Sequence, residues 1–258
     1  MCLIVFSYRQ YENFPLIFAG NRDEFYERQA RPAQFWKNKP GLLAGKDLKA
    51  NGTWLGVTNK GDFGAITNYR DLTNIKEDAP TRGKVVTNLL TSRLQPENYF
   101  NKLQKEAHHY NGFNLLGGNL DQFLYYSNEQ DEIQTLNPGL YGISNALLES
   151  PWPKVQSAKK QFEESIGNDA VDEEGIFEIL TDETSYPREL LPETGLSDEM
   201  EVAVSSIFIK TDNYGTRCST LFYISKEGEM TFIERTYPDG SVSDSKTVRY
   251  RFYIDLNA

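Results

Sequence analysis

Met1-Cys2-Leu3-Ile4-Val5-Phe6 opens the chain, and a second apolar run, Leu16-Ile17-Phe18-Ala19-Gly20, leads directly into Asn21-Arg22-Asp23-Glu24. Two short apolar runs separated by a polar loop predict a hairpin with strands over residues 2–6 and 15–19. A dense polar group at the end of a strand is either a solvated loop or a site, because a rigid sheet positions functional loops. The polar end of this hairpin therefore holds the first candidate site residues.

Cys2 is a candidate nucleophile. An initiator methionine is usually removed before a small residue such as cysteine, which leaves the thiol and a free α-amine on one residue. That amine titrates near pH ~8, so it can take the thiol proton and act as a general base without a histidine. The alternative is that Cys2 is a small buried hydrophobic residue at the start of a strand. If Met1 stays attached, an amide replaces the amine and the built-in base is lost.

Composition and charge exclude several classes of protein. The 258 residues can bury a large core, and 13% aromatic residues suit a β-rich globular fold. A net charge of −10 at pH 7, with no offsetting run of Lys and Arg, disfavours a nucleic-acid partner. No run reaches the ~18 apolar residues of a membrane span, and the first run lacks the basic flank of a signal peptide. Two cysteines do not form a disulfide framework, so we expect a reduced, cytoplasmic protein.

Periodicity predicts one domain over residues 1–258 with strands and helices in mixed order. Helix patterns cover 85–93, 96–109, 154–166 and 176–180. Strand patterns cover 113–118, 122–127, 132–136, 140–145, 220–225, 230–235 and 247–254, with a turn over 211–219 and hairpin turns over 59–62 and 226–229. Residues 202–209 are predicted as a strand, or as a helix end that becomes one. Residues near 181–200 lack periodicity and predict a mobile surface excursion. This order fits an α+β fold of two antiparallel sheets covered by helices.

Four further blocks carry a family resemblance: Gly45-Lys46-Asp47, Asn51-Gly52-Thr53-Trp54-Leu55-Gly56, Thr67-Asn68-Tyr69-Arg70 and Tyr141-Gly142-Ile143-Ser144-Asn145. Preceded by Cys2 and Asn21-Arg22-Asp23-Glu24, they resemble the NRDE family, also called the transport-and-Golgi-organisation family. The resemblance covers the N-terminal half well and the last third loosely. That family in turn resembles N-terminal-nucleophile (Ntn) hydrolases of the bile-salt-hydrolase and penicillin-V-acylase type. The resemblance implies a four-layer αββα sandwich with the nucleophile at the start of a central strand.

The resemblance also implies roles for single residues. Cys2 matches the nucleophile, and Asp23 matches the aspartate that holds the nucleophile's amine. Asn68 matches the asparagine whose backbone helps form the oxyanion hole, and Asn145 matches the one whose side-chain amide completes it. Arg217 is a looser match to a late arginine near the nucleophile. The competing interpretation makes Asn68 and Asn145 turn residues and Arg217 a surface charge.

Arg22 marks a departure from the acylases. In those enzymes an arginine precedes the aspartate by three positions, and Gly20 occupies that position here. Neighbours on a strand point to opposite faces, so Arg22 and Asp23 cannot both address Cys2 unless the chain bends. A thiolate nucleophile needs nearby positive charge, and either Arg22 or the α-ammonium can supply it.

Two functions follow from these residues. The first is an amidohydrolase or acyl-transfer enzyme that acts on a small acyl-amide or acyl-thioester through Cys2, with no metal and no cofactor. The second is a non-catalytic binding protein on the same fold that handles haem or a lipid or acyl-coenzyme-A ligand, as the family resemblance implies. Both need a small-molecule partner, and both are compatible with a homo-oligomer. His108 and His109 predict a solvated helix end, because adjacent residues cannot share one helix face.

Overall fold

The computed structural model describes residues 2–167 and 170–254. Its strands are β1 (Cys2–Tyr8), β2 (Leu16–Phe25), β3 (Ala30–Phe35), β4 (Leu42–Asp47), β5 (Leu55–Thr58), β6 (Phe63–Asn68), β7 (Phe113–Gly118), β8 (Phe123–Ser127), β9 (Glu132–Thr135), β10 (Gly139–Ile143), β11 (Tyr214–Ile224), β12 (Glu229–Thr236) and β13 (Lys246–Tyr253). Its α-helices are α1 (Gly83–Thr91), α2 (Pro96–Glu106), α3 (Pro153–Glu164), α4 (Glu173–Leu180) and α5 (Asp198–Ala203). Single 3₁₀ turns lie at Ala107–His109, Arg188–Leu190 and Pro238–Gly240.

The strands form two antiparallel sheets that pack face to face. One has six strands in the order β10-β1-β2-β11-β12-β13, and the other has seven strands in the order β3 to β9. One apolar core lies between the sheets. A second lies between the seven-stranded sheet and helices α1 and α2, and a third lies between the six-stranded sheet and helices α3 and α4. The predicted four-layer αββα sandwich is therefore confirmed.

The first hairpin is apolar on both faces because both faces are covered. Every residue of β1 is buried. Ile4 and Phe6 join the core between the sheets, whereas Leu3 and Val5 pack under helices α3 and α4. Side chains alternate along a strand, so only a strand with two covered faces needs a continuous apolar run. This double burial fixes the register that brings Cys2 opposite Arg22.

Local turn signals locate their hairpins well. The turn over 59–62 joins β5 to β6, and Gly61 adopts a φ of +87° there. The turn over 226–229 joins β11 to β12, with Gly228 at +83°. Positive φ is a conformation that glycine adopts without strain, which is why these signals can be read from sequence.

Two predicted elements are wrong. Residues 202–209, predicted as a strand or as a helix end that becomes one, begin with the end of α5 but continue as irregular chain and not as a strand. The carbonyls of Val204 and Ile207 accept hydrogen bonds from buried Lys154 and Asn21. Side chains thus satisfy the backbone groups that a neighbouring strand would have satisfied. The predicted turn over 211–219 contains the first half of β11, which pairs with the polar end of β2. The surface excursion is present, and its mobility stays a prediction. Within the described residues no helix has the length and apolar character to cross a membrane.

Candidate functional site

A cavity of about 570 Å³ opens where the polar ends of β1, β2 and β11 face the other sheet. The six-stranded sheet contributes Cys2 and Arg22 to its lining, and the opposite wall contributes Lys46 and Asn68. Residue Arg82, at the start of α1, lines it as well. The cavity therefore collects residues from chain segments that are far apart in sequence.

Cys2 begins β1, and the residue is 7% exposed. Its carbonyl oxygen accepts a 2.9 Å hydrogen bond from Ser144 Oγ, which fixes the start of the strand. Burial raises the pKa of the Cys2 thiol, while the backbone N–H of Asp23 and the charge of Arg22 act in the opposite direction. The sulfur is therefore a neutral thiol in this setting, and it needs a base before it can act as a nucleophile.

The Asn-Arg-Asp-Glu residues point alternately to two faces of β2. Asn21 faces the helices: its Nδ2 donates to the carbonyls of Leu180 at 2.8 Å and Ile207 at 3.0 Å. Its Oδ1 accepts a 2.6 Å hydrogen bond from Ser219 Oγ. All of these contacts are buried, so Asn21 joins the sheet to the helical layer and has no contact with the cavity in this arrangement.

Asp23 lies on the same face as Asn21. Its Oδ1 accepts a 2.7 Å hydrogen bond from Thr216 Oγ1, and its carbonyl accepts one from the Tyr214 hydroxyl at 3.1 Å. Burial raises the pKa of Asp23, and the positive charge of buried Lys154 opposes that rise. The backbone N–H of Asp23 donates to the Cys2 sulfur, and Asp23 also lines the cavity. Its predicted hold on the α-amine stays a prediction, because Met1 lies outside the described residues.

Arg22 faces the cavity together with Cys2. Its Nη2 lies 3.4 Å from Glu24 Oε2 and 3.6 Å from Asp47 Oδ2. Asp47 in turn binds Arg28 Nε at 2.7 Å. The other terminal nitrogen of Arg22, Nη1, is buried and has no hydrogen-bond partner among the described residues. Arg22 is thus anchored through one terminal nitrogen, and the donor on its other terminal nitrogen is unused.

The departure at Gly20 has a steric reason. A Cβ built on Gly20 would lie 2.6 Å from the carbonyl oxygen of Leu3 and 3.1 Å from Ile4 Cγ1, so no side chain fits there. Residues two apart on a strand share a face, so Arg22 projects from the same side as position 20 and lies opposite Cys2. The arginine of this site therefore sits next to Asp23 and not three residues before it.

Asn68 and Asn145 lie together in the structure. Asn145 Nδ2 donates to the carbonyl of Asn68 at 2.8 Å, and Asn145 Oδ1 lies 3.3 Å from Ser144 Oγ, whose single hydrogen has its shorter bond to the Cys2 carbonyl. Asn68 lines the cavity, whereas Asn145 is 1% exposed and sits behind it. An amide nitrogen carries two hydrogens, so Asn145 retains one donor after binding Asn68. The oxyanion role of both residues stays a prediction.

Arg217 sits in a bulge of β11, between the residues that pair with Asp23 and Arg22. Its Nη1 donates to the carbonyls of Tyr26 at 2.6 Å and Phe25 at 3.1 Å. A bulge adds one residue and redirects its side chain, which is how Arg217 comes to line the cavity. Its Nε is buried and has no hydrogen-bond partner in the described part of the chain.

Sequence reasoning missed several residues of this site. Glu234 on β12 is buried at the cavity wall, where its Oε1 accepts a 2.7 Å hydrogen bond from the backbone N–H of Ala33 and the Cys218 thiol donates to its carboxylate. Burial raises the pKa of Glu234 to about 7. A signal was available, because Glu234 has the same parity as Met230 and Phe232, which point into the core.

Buried Lys154 and partly buried Arg82 were also missed. Lys154 Nζ donates to the carbonyl of Val204 at 2.9 Å behind the site, and burial lowers its pKa to about 8. Arg82 donates to the carbonyl of Gly112 at 2.8 Å and interacts electrostatically with Cys2. Lys154 follows Pro153 and Arg82 follows Thr81, each at the start of a helix. Charged residues at a helix start are normally exposed to solvent, so the sequence does not indicate that these two belong to the site.

The cavity is positively charged in an acidic protein. Its described lining holds four carboxylates, Asp23, Glu24, Asp47 and Glu234, against seven cationic side chains: Arg22, Arg28, Arg31, Lys46, Arg82, Arg217 and Lys246. The whole chain has a net charge of −10.

No cluster of three or more metal-ligating side chains occurs in residues 2–167 and 170–254. His108 and His109 lie in the 3₁₀ turn after α2, exposed and away from the cavity.

Comparison with known proteins gives one family and one fold. The family Transport and Golgi organisation 2 matches residues 1–239. The Transport and Golgi organization 2 homolog of Mus musculus is 36% identical over 275 residues, which covers 98% of this chain and 99% of the mouse protein. The corresponding Homo sapiens protein is 35% identical over 276 residues, with coverage of 98% and 99%. A mutant conjugated bile acid hydrolase from Clostridium perfringens superimposes with a TM-score of 0.50 over 100% of this chain and 99% of that one, at 11% identity.

Proposed function

The chain belongs to the Transport and Golgi organisation 2 family, and we propose that it is a cysteine amidohydrolase or acyl-transfer enzyme of the Ntn type. Its substrate is a small acyl-amide or acyl-thioester, and Cys2 is the nucleophile. The observation that carries the proposal is the position of Cys2, at the start of a strand held between β10 and β2, with its thiol on a charged cavity. The likeness to the bile acid hydrolase supports the fold and leaves the substrate open.

The first chemical step activates the thiol. Burial raises the pKa of Cys2, so a base must take the proton. Once Met1 is removed, the α-amine of Cys2 lies on the same residue as the thiol and titrates near neutral pH, which suits it to this role. The thiolate then attacks the substrate carbonyl carbon and forms a C–S bond. The carbonyl oxygen becomes an oxyanion.

The following steps release both products. As the tetrahedral intermediate collapses, the C–N or C–S bond to the leaving group breaks, and the leaving group takes the proton from the α-ammonium. Water then attacks the acyl-enzyme, and the α-amine takes the water proton. Expulsion of the Cys2 thiolate releases the carboxylic acid, and the thiolate regains its proton from the α-ammonium.

Asn68 and Asn145, across the cavity from Cys2, stabilise the oxyanion in this proposal. Asn68 lines the cavity, and Asn145 fixes it through the 2.8 Å bond to its carbonyl while keeping one amide hydrogen. Donors fixed in advance stabilise a developing negative charge without reorganising. Arg22 adds a positive charge on the same face as the thiol.

The test uses protein purified from its native host. Intact mass reports removal of Met1, and turnover is measured with acyl p-nitroanilides and acyl thioesters. We expect processed protein to turn over at least one of them, Cys2→Ala to abolish turnover, and Cys218→Ser to retain it as the matched thiol control. Complete retention of Met1 in functional protein would refute the self-base mechanism.

The second candidate function, binding of haem or of a lipid or acyl-coenzyme-A ligand without chemistry, rests on the same cavity. Cys2 is a thiol on the cavity wall and a candidate haem ligand, whereas His108 and His109 lie elsewhere. Haem titration followed by absorbance separates the two functions. A Soret shift that disappears in Cys2→Ala, without acyl turnover, supports binding. Turnover that disappears in the same variant supports catalysis.

A further inference from the structure

Two arginines that line the cavity, Arg22 and Arg217, each have one buried nitrogen without a partner. These nitrogens are Nη1 of Arg22 and Nε of Arg217, neither of which meets a hydrogen-bond acceptor within the described residues. Both belong to guanidinium groups that are always charged at physiological pH. Leaving a buried charged donor unsatisfied is costly, so such groups mark places where an acceptor from a ligand is favoured.

The two arginines are neighbours and are held rigidly. Arg217 directly precedes Cys218, the residue of β11 that pairs with Arg22. Each guanidinium is anchored by another of its nitrogens, Arg22 near Glu24 and Arg217 on the carbonyl of Tyr26. The unpaired nitrogens are therefore presented in a fixed geometry, which lowers the entropy lost when a ligand binds.

The four carboxylates of the cavity lining, Asp23 included, are outnumbered by its seven cationic side chains. Glu24 and Asp47 are already shared with Arg22 and Arg28. Glu234 is buried, bound by the Ala33 N–H, and only partly ionised at neutral pH because burial raises its pKa to about 7. A neutral acyl chain would leave the guanidinium donors unpaired, whereas an anion would satisfy them.

We propose that the substrate carries an anionic group, a carboxylate, sulfonate or phosphate, that binds Arg22 and Arg217 while its reacting carbonyl faces Cys2. Only the part of this inference that concerns the reacting carbonyl rests on the proposed function. Binding of an anion by the two arginines needs neither turnover nor removal of Met1. It narrows the substrate class to small acyl-amides or acyl-thioesters with negative charge near the scissile bond.

The test compares two alkylating reagents of nearly equal size at the same thiol. In a Cys218→Ser background, Cys2 alkylation by iodoacetate and by iodoacetamide is followed by intact mass. Both reagents meet the same thiolate, so their rate ratio is independent of the pKa of Cys2. We expect the iodoacetate-to-iodoacetamide ratio to exceed that of N-acetylcysteine by about ten-fold or more, the size of one charge-assisted hydrogen bond.

Variants then assign the effect to the two arginines. Arg22→Met and Arg217→Met should each lower the ratio several-fold, and Arg22→Lys should retain part of it because it keeps the charge. Arg93→Met, an exposed arginine outside the cavity, is the matched control and should leave the ratio unchanged. Thermal unfolding verifies that each variant is folded. If Arg22→Met does not fold, Arg217→Met still tests the proposal by itself.

Competition identifies the anion. Glutarate, methanesulfonate and inorganic phosphate are added separately, and the one that best slows iodoacetate labelling names the class of charged group. A ratio equal to that of N-acetylcysteine and unmoved by both arginine variants would overturn the proposal. So would the absence of protection by all three anions. Because no turnover is measured, a protein that hydrolyses no acyl compound still gives a readable result.

Discussion

At the scale of single residues, Asp23 exerts two opposite effects on Cys2. Its negative charge raises the pKa of the Cys2 thiol directly, and its backbone N–H lowers it. If its carboxylate also orients the α-ammonium of processed Cys2, that ammonium is held where it favours the thiolate. Removing the Asp23 charge should lower the pKa of Cys2 if only the direct repulsion matters. It should raise the pKa of Cys2 if Asp23 orients the α-ammonium.

The variant Asp23→Asn therefore distinguishes a role of Asp23 in the chemistry of Cys2 from a purely structural role. The amide keeps one acceptor oxygen for Thr216 Oγ1, loses the charge and carries an NH2 group in place of the second carboxylate oxygen. If Asp23 orients the α-ammonium, the apparent pKa of Cys2 should rise by one unit or more, about 1.4 kcal/mol each. The rate of Cys2 alkylation against pH measures this, on Cys218→Ser protein without Met1. An unchanged or lowered pKa of Cys2 would mean that Asp23 does not orient the α-ammonium in this way.

Glu234 predicts a pH dependence of stability. Its pKa rises from the ordinary 4.5 to about 7 in the folded protein. Between these values the unfolded chain has released the proton and the folded chain retains it, so raising the pH favours unfolding. This contribution is complete below pH 4.5 and is lost as pH rises through about 7.

Glu234→Gln should remove that dependence while keeping an acceptor for the Ala33 N–H. Relative to the variant, the wild type should lose up to roughly 3 kcal/mol of unfolding free energy across the same window. Urea unfolding at several pH values measures the difference. Glu132→Gln, an exposed residue of β9, should follow the wild type. Parallel curves for wild type and Glu234→Gln would contradict the prediction.

At the scale of elements, a buried ion pair joins the end of the β6 hairpin to α5. Arg70 Nη2 lies 3.1 Å from Glu201 Oε2, and the two side chains are 7% and 1% exposed. The backbone N–H of Arg70 donates to the carbonyl of Asn145, and its guanidinium packs over Trp152. The pair therefore links the surface excursion to the wall that carries Asn68.

Breaking this pair on one side should be costly. Arg70→Met leaves the Glu201 charge buried without its main counter-charge, which we expect to lower the free energy of unfolding by roughly 3–5 kcal/mol. Adding Glu201→Gln should recover part of that loss. The exposed pair of Arg188 and Asp198 is the control, and Arg188→Met should cost about 1 kcal/mol or less. Chemical denaturation measures all of them; equal losses for both arginines would argue against a special role of the buried pair.

Elements with local signals were predictable, and elements defined by distant partners were not. The hairpin turns at Gly61 and Gly228 need only the positive φ of one glycine. The start of β11 is polar and looks like a turn, yet the hydroxyl of Tyr214 bonds the carbonyl of Asp23 almost two hundred residues earlier. Sequence patterns along one segment contain no information about such a partner, so the strand was missed.

At the scale of the whole molecule, the fold gathers the site from both sheets. Cys2 and Asn68 were found through motifs, since each ends or begins a strand within a recognisable block. Glu234 and Arg82 stand in no motif and reach the cavity only because the sheets stack face to face. The excess of cationic side chains in the cavity is likewise hidden by a chain whose net charge is −10.

The stacked fold also separates stability from chemistry. Residues Cys2 to Tyr8 of β1 pair with β2, and residues Ile4 to Tyr8 of β1 pair with β10. None of these pairs needs a residue before Cys2. A short extension that ends in Gly-Ser directly before Cys2, and that keeps the chain unprocessed, should leave the melting temperature within about 2 °C of the processed protein. It should abolish acyl turnover, because the α-amine is then an amide and cannot accept the thiol proton. Iodoacetamide labelling of Cys2 in a Cys218→Ser background verifies that the thiol is still accessible. An extended, folded protein that turns over acyl substrates as fast as the processed form would show that another group is the base.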